Sequence, residues 1–247
     1  MREKKIRLVI AYDGGAYHGW QRQKNAVTLQ AVFEERLEKM LEEPVRLFAS
    51  GRTDAGVHAL GQVAHFKTHS ELDPGVIEKG LNALLPADVF VKECAYVSED
   101  FHARYSARRK TYEYRILNSV RPDIFLRRYV WHIRKQLETG EMRLSLQSIL
   151  GQHDFSAFRS SGSANTNPVR TVRRVELIEQ DEGRLRIIME ADGFLRHMVR
   201  NLVGTLVEVG LGKITAARFS SILESGDRRM AGPKAPAHGL FLVKVDY

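Results

Sequence analysis

Hydrophobic and polar positions along the chain follow two periods, which predict alternating strands and helices. Apolar or alternating runs predict strands over 6–12, 45–49, 61–67, 89–97, 110–115, 171–180, 184–191 and 241–245. Helical spacing predicts helices from a Thr28 cap to about 42, from Asp73-Pro74 to 85, over 142–150 and 195–209, and from a Thr215 cap to about 224. Both halves mix strands with helices, which is typical of an α+β fold.

The predicted helix over 195–209 has the most continuous apolar face, and that face raises a question about charge. On a helical wheel Arg196 falls inside the face and Arg200 falls at its border. A guanidinium buried there needs a partner, unless the long side chain reaches water. The periodicity does not decide which of the two arginines is buried.

A single carboxylate, Asp54, lies in a run too rich in small residues to form a helix or a regular strand. Gly51 and Gly56 permit backbone conformations closed to other residues and let a ligand approach the main chain. Arg52, two residues earlier, favours the ionised carboxylate, which acts as a nucleophile or a base. The same run also fits ordinary turn chemistry, in which an aspartate bonds to nearby backbone.

Charge points to a polyanionic partner. The 247 residues include 38 Lys and Arg against 30 Asp and Glu, which gives a net charge of +8. The most basic and aromatic segment contains Arg104, Tyr105, Arg108, Arg109, Lys110, Tyr112, Tyr114 and Arg115. Aromatic faces stack on bases and cations track phosphates, so this interleaving suits RNA with unstacked nucleotides. A charged strand at the protein surface would contain similar residues, so the sequence pattern alone supports both interpretations equally.

Several classes of protein are disfavoured by what the sequence lacks. Only one cysteine occurs, Cys94, which excludes an intrachain disulfide and fits a reducing cytosol. Its place in an apolar run predicts a strand residue. No apolar stretch has the length of a signal-peptide core or of a membrane span. No P-loop or Gly-x-Gly-x-x-Gly motif is present. His58 and His65 flank the Asp54 run without an obvious third ligand, so we expect no metal.

Six motifs resemble those of the tRNA pseudouridine synthase A (TruA) family. The most specific is Gly51-Arg52-Thr53-Asp54-Ala55-Gly56-Val57-His58-Ala59. The others are Tyr12-Asp13-Gly14 followed by Gly19-Trp20-Gln21, and the segments 110–115, 151–158, 194–201 and 235–242. The resemblance therefore covers nearly the whole chain.

This resemblance implies roles for particular residues. It implies that Asp54 is the catalytic nucleophile and that Arg200 pairs with it. Tyr112 would stack on the target uracil and is also a catalytic candidate, as the acceptor of the C5 proton. Leu240 would pack against the uracil, and Arg52 would hold a phosphate or the space left by the flipped nucleotide. His58, in the same signature, is expected to help bind substrate. Whether Asp54 attacks ribose or uracil, or removes a sugar proton, stays open.

The resemblance also implies a fold and a function. The fold would be α+β, with two ferredoxin-like (RRM-like) lobes, 1–100 and 101–247, joined in one central, mostly antiparallel sheet with helices on one side and a catalytic cleft between the lobes. The implied function is the isomerisation of uridines 38, 39 and 40 in the tRNA anticodon arm by a cytoplasmic homodimer without a cofactor. Two alternatives are a non-catalytic RNA-binding protein and a metal-dependent hydrolase that uses Asp54, His58 and His65.

Overall fold

A computed structural model describes residues 3–160, 162 and 167–247 of the chain. Its strands are β1 (Lys4–Tyr12), β2 (Phe48–Ala49), β3 (His58–Thr68), β4 (Val89–Val97), β5 (Arg109–Asn118), β6 (Trp131–Ile133), β7 (Gly151–Asp154), β8 (Val169–Glu179), β9 (Arg184–Ala191) and β10 (Leu240–Asp246). Its α-helices are α1 (Leu29–Leu41), α2 (Pro74–Leu84), α3 (Thr139–Gln147), α4 (Met198–Gly210) and α5 (Ala216–Ser225).

The chain divides into two compact units. Unit 1 comprises Met1–Arg108 together with Leu242–Tyr247, and unit 2 comprises Arg109–Phe241. The division falls eight residues after the predicted boundary, and the last six residues of the chain belong with unit 1 rather than with the second half.

Unit 1 has the strand and helix order β1-α1-β2-β3-α2-β4, which is the ferredoxin-like order. Strand β1 lies between β4 and β3 and pairs antiparallel with both, while β2 pairs antiparallel with β3. The predicted apolar face of α1 is the core face, because Leu29, Phe33 and Leu37 are all fully buried. A bulge in the β1–β3 pairing falls between Ile10 and Tyr12, just where β3 leaves the Asp54 loop.

Unit 2 contains a second mostly antiparallel set of strands. Its order is β5-β9-β8-β7, with the short β6 parallel to β5. Helix α4 is buried along nearly its whole length and contacts α3 and α5. The α+β class and the mostly antiparallel strand pairing are thus confirmed.

Several predicted boundaries are accurate and several are wrong. Strand β4 has the predicted bounds, and Asp73 caps α2 by accepting a hydrogen bond from the Gly75 N–H. Helix α4 begins at Met198 rather than at 195, because His197 takes a left-handed conformation with φ +63°. Strand β2 has only two residues, α3 begins at Thr139, and β6 was not predicted. Cys94 lies in β4 as expected, and burial raises the pKa of its thiol to about 12.

Two further expectations concern the loop over 159–168 and the absence of a membrane span. A polar loop is expected over 159–168, but residues 161 and 163–166 lie outside the described residues. None of the helices in the described part of the chain is long and apolar enough to cross a membrane.

Candidate active site

Asp54 lies in a loop that connects β2 to β3 and turns tightly at its end. The Val57 N–H donates to the Asp54 carbonyl oxygen at 3.1 Å, and Gly56 between them has φ +77°. A non-glycine side chain is disfavoured at that φ, so the glycine permits this turn. The predicted irregular loop is therefore present. The segment that presents the Asp54 carboxylate also forms a tight turn.

A second segment, from Gly14 to Trp20, packs against the backbone of the Asp54 loop. The Trp20 N–H donates to the Thr53 carbonyl oxygen at 3.0 Å. A Cβ added to Gly14 would lie 2.0 Å from the Val57 carbonyl oxygen, and one added to Gly19 would lie 2.6 Å from that of Thr53. Real Cβ atoms do not approach oxygens so closely, so both glycines are required for this packing.

Hydrogen bonds of buried polar side chains hold the Asp54 loop in place. The Tyr12 hydroxyl lies 2.8 Å from Thr53 Oγ1, and the two residues are only 4% and 6% exposed. Burial raises the pKa of Tyr12 well above its usual range, so this hydroxyl stays protonated. Ser50 Oγ donates to Gln62 Oε1 at 2.7 Å, and Gln62 Nε2 donates to the Gly51 carbonyl oxygen at 2.9 Å. The residue directly before Asp54 is thus held on both its side chain and its main chain.

Exposure alternates along the loop. Arg52 is exposed, Thr53 is buried, and Asp54 is half-buried. No described carboxylate, that of Asp54 included, lies within salt-bridge distance of Arg52. The predicted influence of Arg52 on Asp54 therefore does not operate through an ion pair, and Arg52 presents its charge to solvent.

His58 begins β3 and is only 1% exposed. Its Nδ1 accepts a hydrogen bond from the Gly14 N–H at 3.1 Å and also lies 3.0 Å from Asp13 Oδ1. The first contact needs an unprotonated Nδ1 and the second a protonated one, so one atom cannot satisfy both partners at once. Either contact ties β3 to the Asp13-Gly14 turn. A role for His58 in substrate binding stays a prediction.

Tyr112, in unit 2, lies near the start of β5 opposite Met189 of β9. Its ring is half-buried and meets Phe194 edge to face, with ring centroids 5.0 Å apart and planes at 82°. This contact holds the ring in one orientation. Tyr112 therefore keeps part of an oriented aromatic surface accessible, which is the property that stacking on a base requires.

Tyr114, two residues further along β5, has a structural role instead. It is fully buried, and its hydroxyl donates to the Pro236 carbonyl oxygen at 2.8 Å. A Cβ on Gly239 would lie 2.7 Å from the Tyr114 ring, so the chain passes directly against that ring just before Leu240. Leu240 is 5% exposed. Tyr114 thus sets the position of Leu240, a link that the sequence analysis did not identify.

The structure decides between the two arginines of the predicted helix. Arg196 is exposed and precedes α4, whereas Arg200 lies in the first turn of α4 and is only 9% exposed. Arg200 Nε donates to the Ala235 carbonyl oxygen at 2.8 Å, and the Ala235 N–H donates to the Arg200 carbonyl oxygen at 3.0 Å. The guanidinium therefore has a fixed orientation.

The segment 228–235, which we call the strap, is bound closely along α4. Arg228 donates to Asn201 Oδ1 at 3.1 Å, and the Gly232 N–H donates to Thr205 Oγ1 at 3.0 Å. A Cβ on Gly204 would lie 1.7 Å from the Pro233 carbonyl oxygen. The strap can lie here only because residue 204 has no side chain.

Comparison with known proteins shows the family. The family model described as tRNA pseudouridine synthase matches residues 8–106 and 146–247. The chain belongs to the tRNA pseudouridine synthase family. It is 47% identical to tRNA pseudouridine synthase A of Thermoanaerobacter sp. (strain X514) and also 47% identical to that of Acetivibrio thermocellus. Each alignment covers 244 residues, 99% of this chain and 100% of the relative.

Likeness to solved structures is much weaker. A Cbf5-Nop10-Gar1 complex matches with a TM-score of 0.36 and 14% identity, over 82% of this chain and 45% of that chain.

Both halves of the synthase family model include residues that the sequence analysis selected. Arg52, Asp54 and His58 fall in the first matched range, and Arg200 and Leu240 fall in the second. Tyr112 falls between the two ranges. Within the described residues, no three His, Cys, Asp and Glu side chains are grouped so that they could hold a metal ion. His58 and His65 have different partners, since His65 Nδ1 accepts from the Ala103 N–H at 3.1 Å.

Proposed function

We propose that this chain isomerises uridine to pseudouridine in tRNA, at positions 38, 39 and 40 of the anticodon arm. The observation that carries the proposal is the Asp54 loop, which presents one half-buried carboxylate on a backbone held by two other segments. Membership of the synthase family, over 99% of the chain, supports the reaction class.

The chemistry needs a positioned carboxylate and a base taken out of its stack. A uridine must leave the helix before its glycosidic bond can be reached, at a cost of a few kcal/mol. Stacking on Tyr112 and packing on Leu240 offset this cost. Asp54 then attacks ribose or uracil, or removes a sugar proton. Each of these routes remains compatible with the proposal.

The remaining steps conserve atoms and electrons. The N-glycosidic bond breaks, the uracil reorients, C5 bonds to the ribose, and any bond formed to Asp54 is broken. The C5 proton is lost, with Tyr112 as the candidate acceptor, and N1 takes up a proton from water. Uridine and pseudouridine are isomers, so the reaction is redox-neutral and requires no cofactor. Arg200 would keep Asp54 ionised, Arg52 would hold a phosphate or the vacated space, and His58 would support the bound substrate by fixing the start of β3.

The proposed setting is the cytoplasm, with a homodimer as the active form. A reducing compartment suits a chain with a single thiol, and the net charge of +8 suits binding to tRNA.

Mapping of modified positions tests the proposal. Purified protein is incubated with unmodified tRNA transcripts in EDTA, and pseudouridine is located by carbodiimide labelling and primer extension. We expect new stops corresponding to positions 38, 39 or 40. A control transcript with cytidine at all three positions should give none. Stops only at other positions would contradict the anticodon assignment, and dependence on added metal would contradict the proposed chemistry.

A further inference from the structure

Unit 1 has a second group of rings and guanidinium groups that the proposed reaction does not use. We call it the ring patch, and it consists of Arg46, Phe48, His65, His102, Arg104 and Tyr105. All six residues belong to unit 1. Two of them, Arg104 and Tyr105, come from the basic aromatic segment whose residues suit RNA, and His102 lies two residues before Arg104.

The rings contact one another in a continuous series. Phe48 stacks on His65 with centroids 5.3 Å apart, His65 meets His102 at 4.7 Å, and His102 lies against Tyr105 at 4.4 Å. Two cations complete the series, since Arg46 lies 5.1 Å from the Phe48 centroid and Arg104 lies 5.6 Å from that of Tyr105. The patch thus combines stacking surfaces with positive charge.

The inner residues hold the outer ones in place. His65 is 4% exposed, and its Nδ1 accepts from the Ala103 N–H at 3.1 Å. His102 Nδ1 accepts from the Arg104 N–H at 3.1 Å, which fixes the turn that presents Tyr105. Tyr105 itself is 77% exposed and Phe48 is 38% exposed. An exposed tyrosine held against a supported ring loses little further freedom when a base stacks on it.

The described arginines fall into two groups. Some pair with carboxylates, as Arg143 does with Glu179, Arg174 with Glu176 and Arg229 with Asp227. Four exposed arginines of unit 1 have no carboxylate within salt-bridge distance among the described residues: Arg46, Arg52, Arg104 and Arg108. Guanidinium groups left without counter-charges suit a polyanion.

The ring patch is also close to the Asp54 loop along the chain. Phe48 and Ala49 form β2, which leads directly into that loop, and Phe48 pairs with His65 of β3. Asp54 lies six positions after Phe48, and even a fully extended chain over that separation spans only ~20 Å. An RNA strand with one nucleotide at Asp54 therefore has other nucleotides within reach of the patch.

We infer that the ring patch binds an unpaired nucleotide of the same RNA, distinct from the reactive uridine. The base stacks on Tyr105, and Arg46 and Arg104 contact the neighbouring phosphates. The inference rests on the proposed function for the identity of the RNA as tRNA. Single-stranded RNA is recognised in this way elsewhere, by aromatic rings that stack on bases and cations that follow the backbone.

The test compares two exposed tyrosines of unit 1. Tyr105→Ala removes the outer ring of the patch, whereas the control Tyr96→Ala removes a 47% exposed tyrosine of β4 that also lies under a cation, Lys4. The dissociation constant for unmodified tRNA is measured by fluorescence anisotropy at fixed salt, and KM and kcat by tritium release. We expect Tyr105→Ala to raise Kd and KM about 5- to 100-fold, with a much smaller change in kcat.

Further variants distinguish stacking from loss of structure. Tyr105→Trp keeps a ring and should bind nearly as wild type does. Arg46→Gln should lower the slope of log K against log salt by about 1. The inference is overturned if Tyr105→Ala binds tRNA within twofold of wild type, or if Tyr96→Ala loses as much affinity. It is also overturned if Tyr105→Ala changes the mass of the protein in solution but not Kd, since the patch would then be a protein interface.

The result separates this inference from the proposed function. An active wild type with normal tRNA binding by Tyr105→Ala refutes the patch and leaves the synthase assignment intact. A wild type that releases no tritium, but whose RNA binding depends on Tyr105, refutes the assignment and supports the patch.

Discussion

The Asp54 loop of unit 1 and the first turn of α4 in unit 2 present charged side chains on different kinds of support. Asp54 lies in an irregular loop whose backbone is held by Trp20 and by glycines at 14 and 19. Arg200 lies on a helix, and its Nε donates to the Ala235 carbonyl oxygen. Substitutions at positions far from Asp54 in the sequence should therefore disturb the Asp54 loop. The position of Arg200 on α4 should be sensitive mainly to substitutions where the strap contacts the helix.

The largest effects are expected where an added methyl group would push apart two packed segments of backbone, at the Asp54 loop and at the contact of the strap with α4. Gly14→Ala places a Cβ 2.0 Å from the Val57 carbonyl oxygen, and Gly204→Ala places one 1.7 Å from that of Pro233. Overpacking typically costs about 1–3 kcal/mol, and a clash with rigid backbone belongs at the upper end, about 3 kcal/mol. We expect each variant to lose about that much free energy of unfolding in urea, and most of its activity.

Gly140→Ala is the matched control, because nothing lies within 4 Å of the added Cβ and the residue is in α3. It should leave stability unchanged or raise it slightly. Normal stability of Gly204→Ala would mean that the strap is not bound to α4 as described.

The pH dependence of stability tests the β3 side of the loop. Burial, with the nearby charges of His102, Lys5 and Lys67, lowers the pKa of His65 from its usual 6.5 to about 4. Between these values the unfolded chain binds a proton that the folded protein excludes, so stability falls as the pH falls from about 6.5 to 4. The full loss from this residue is roughly 3 kcal/mol.

Urea unfolding at several pH values measures this loss. His65→Phe keeps a ring against Phe48 and removes the titrating group, so its stability should depend less steeply on pH over that window. His69→Ala, at an exposed histidine, is the control and should retain the wild-type slope. An unchanged slope in His65→Phe would show that His65 titrates normally.

Arg200→Lys tests the orientation of the guanidinium on α4. Lysine keeps the positive charge but has only one nitrogen. That nitrogen cannot donate to the Ala235 carbonyl oxygen, as Arg200 Nε does, and also replace the terminal nitrogens of the guanidinium group. We expect kcat to fall about 10- to 100-fold, or about 1.4 to 2.7 kcal/mol. The matched control is Arg196→Lys, at an exposed arginine in the same motif, which should retain nearly full activity. The opposite ranking would assign the catalytic role to Arg196.

The smallest effect concerns the hydrogen bond between Tyr12 and Thr53, the residue directly before Asp54. Tyr12→Phe removes the hydroxyl that contacts Thr53 Oγ1 and should cost about 1 kcal/mol of stability. It should also lower kcat several-fold, because Thr53 precedes Asp54. Tyr17→Phe, which loses a hydrogen bond to Asp88, should cost similar stability without that loss of kcat. Equal kcat values would show that Tyr12 supports the fold alone.

Local patterns predicted much of the fold. The bounds of β4 follow from a continuous apolar run, and the start of α2 follows from Asp73-Pro74. The start of α4 was placed too early, because apolar spacing continues through His197 although its backbone conformation does not. Strand β6 has three residues and pairs parallel to β5, so no local period marks it.

The candidate site was predictable where a motif spans a few residues. Asp54, Arg52 and His58 lie within one signature, and Arg200 was one of only two alternatives. The supports were not predictable, because their contacts join distant positions: Tyr12 with Thr53, Tyr114 with Pro236, and Arg200 with Ala235. The Tyr12-Asp13-Gly14 motif was the one available signal for the first of these.

Tritium release from tRNA labelled at uracil C5 tests directly whether the chain isomerises uridine and whether Asp54 is required. Wild type and Asp54→Asn are compared in EDTA at equal protein and tRNA concentrations, with tRNA binding measured in parallel. We expect wild type alone to release tritium to water, while both proteins bind tRNA. Release by Asp54→Asn at the wild-type rate would contradict the proposed role of Asp54, and tRNA binding without release by wild type would contradict the proposed reaction.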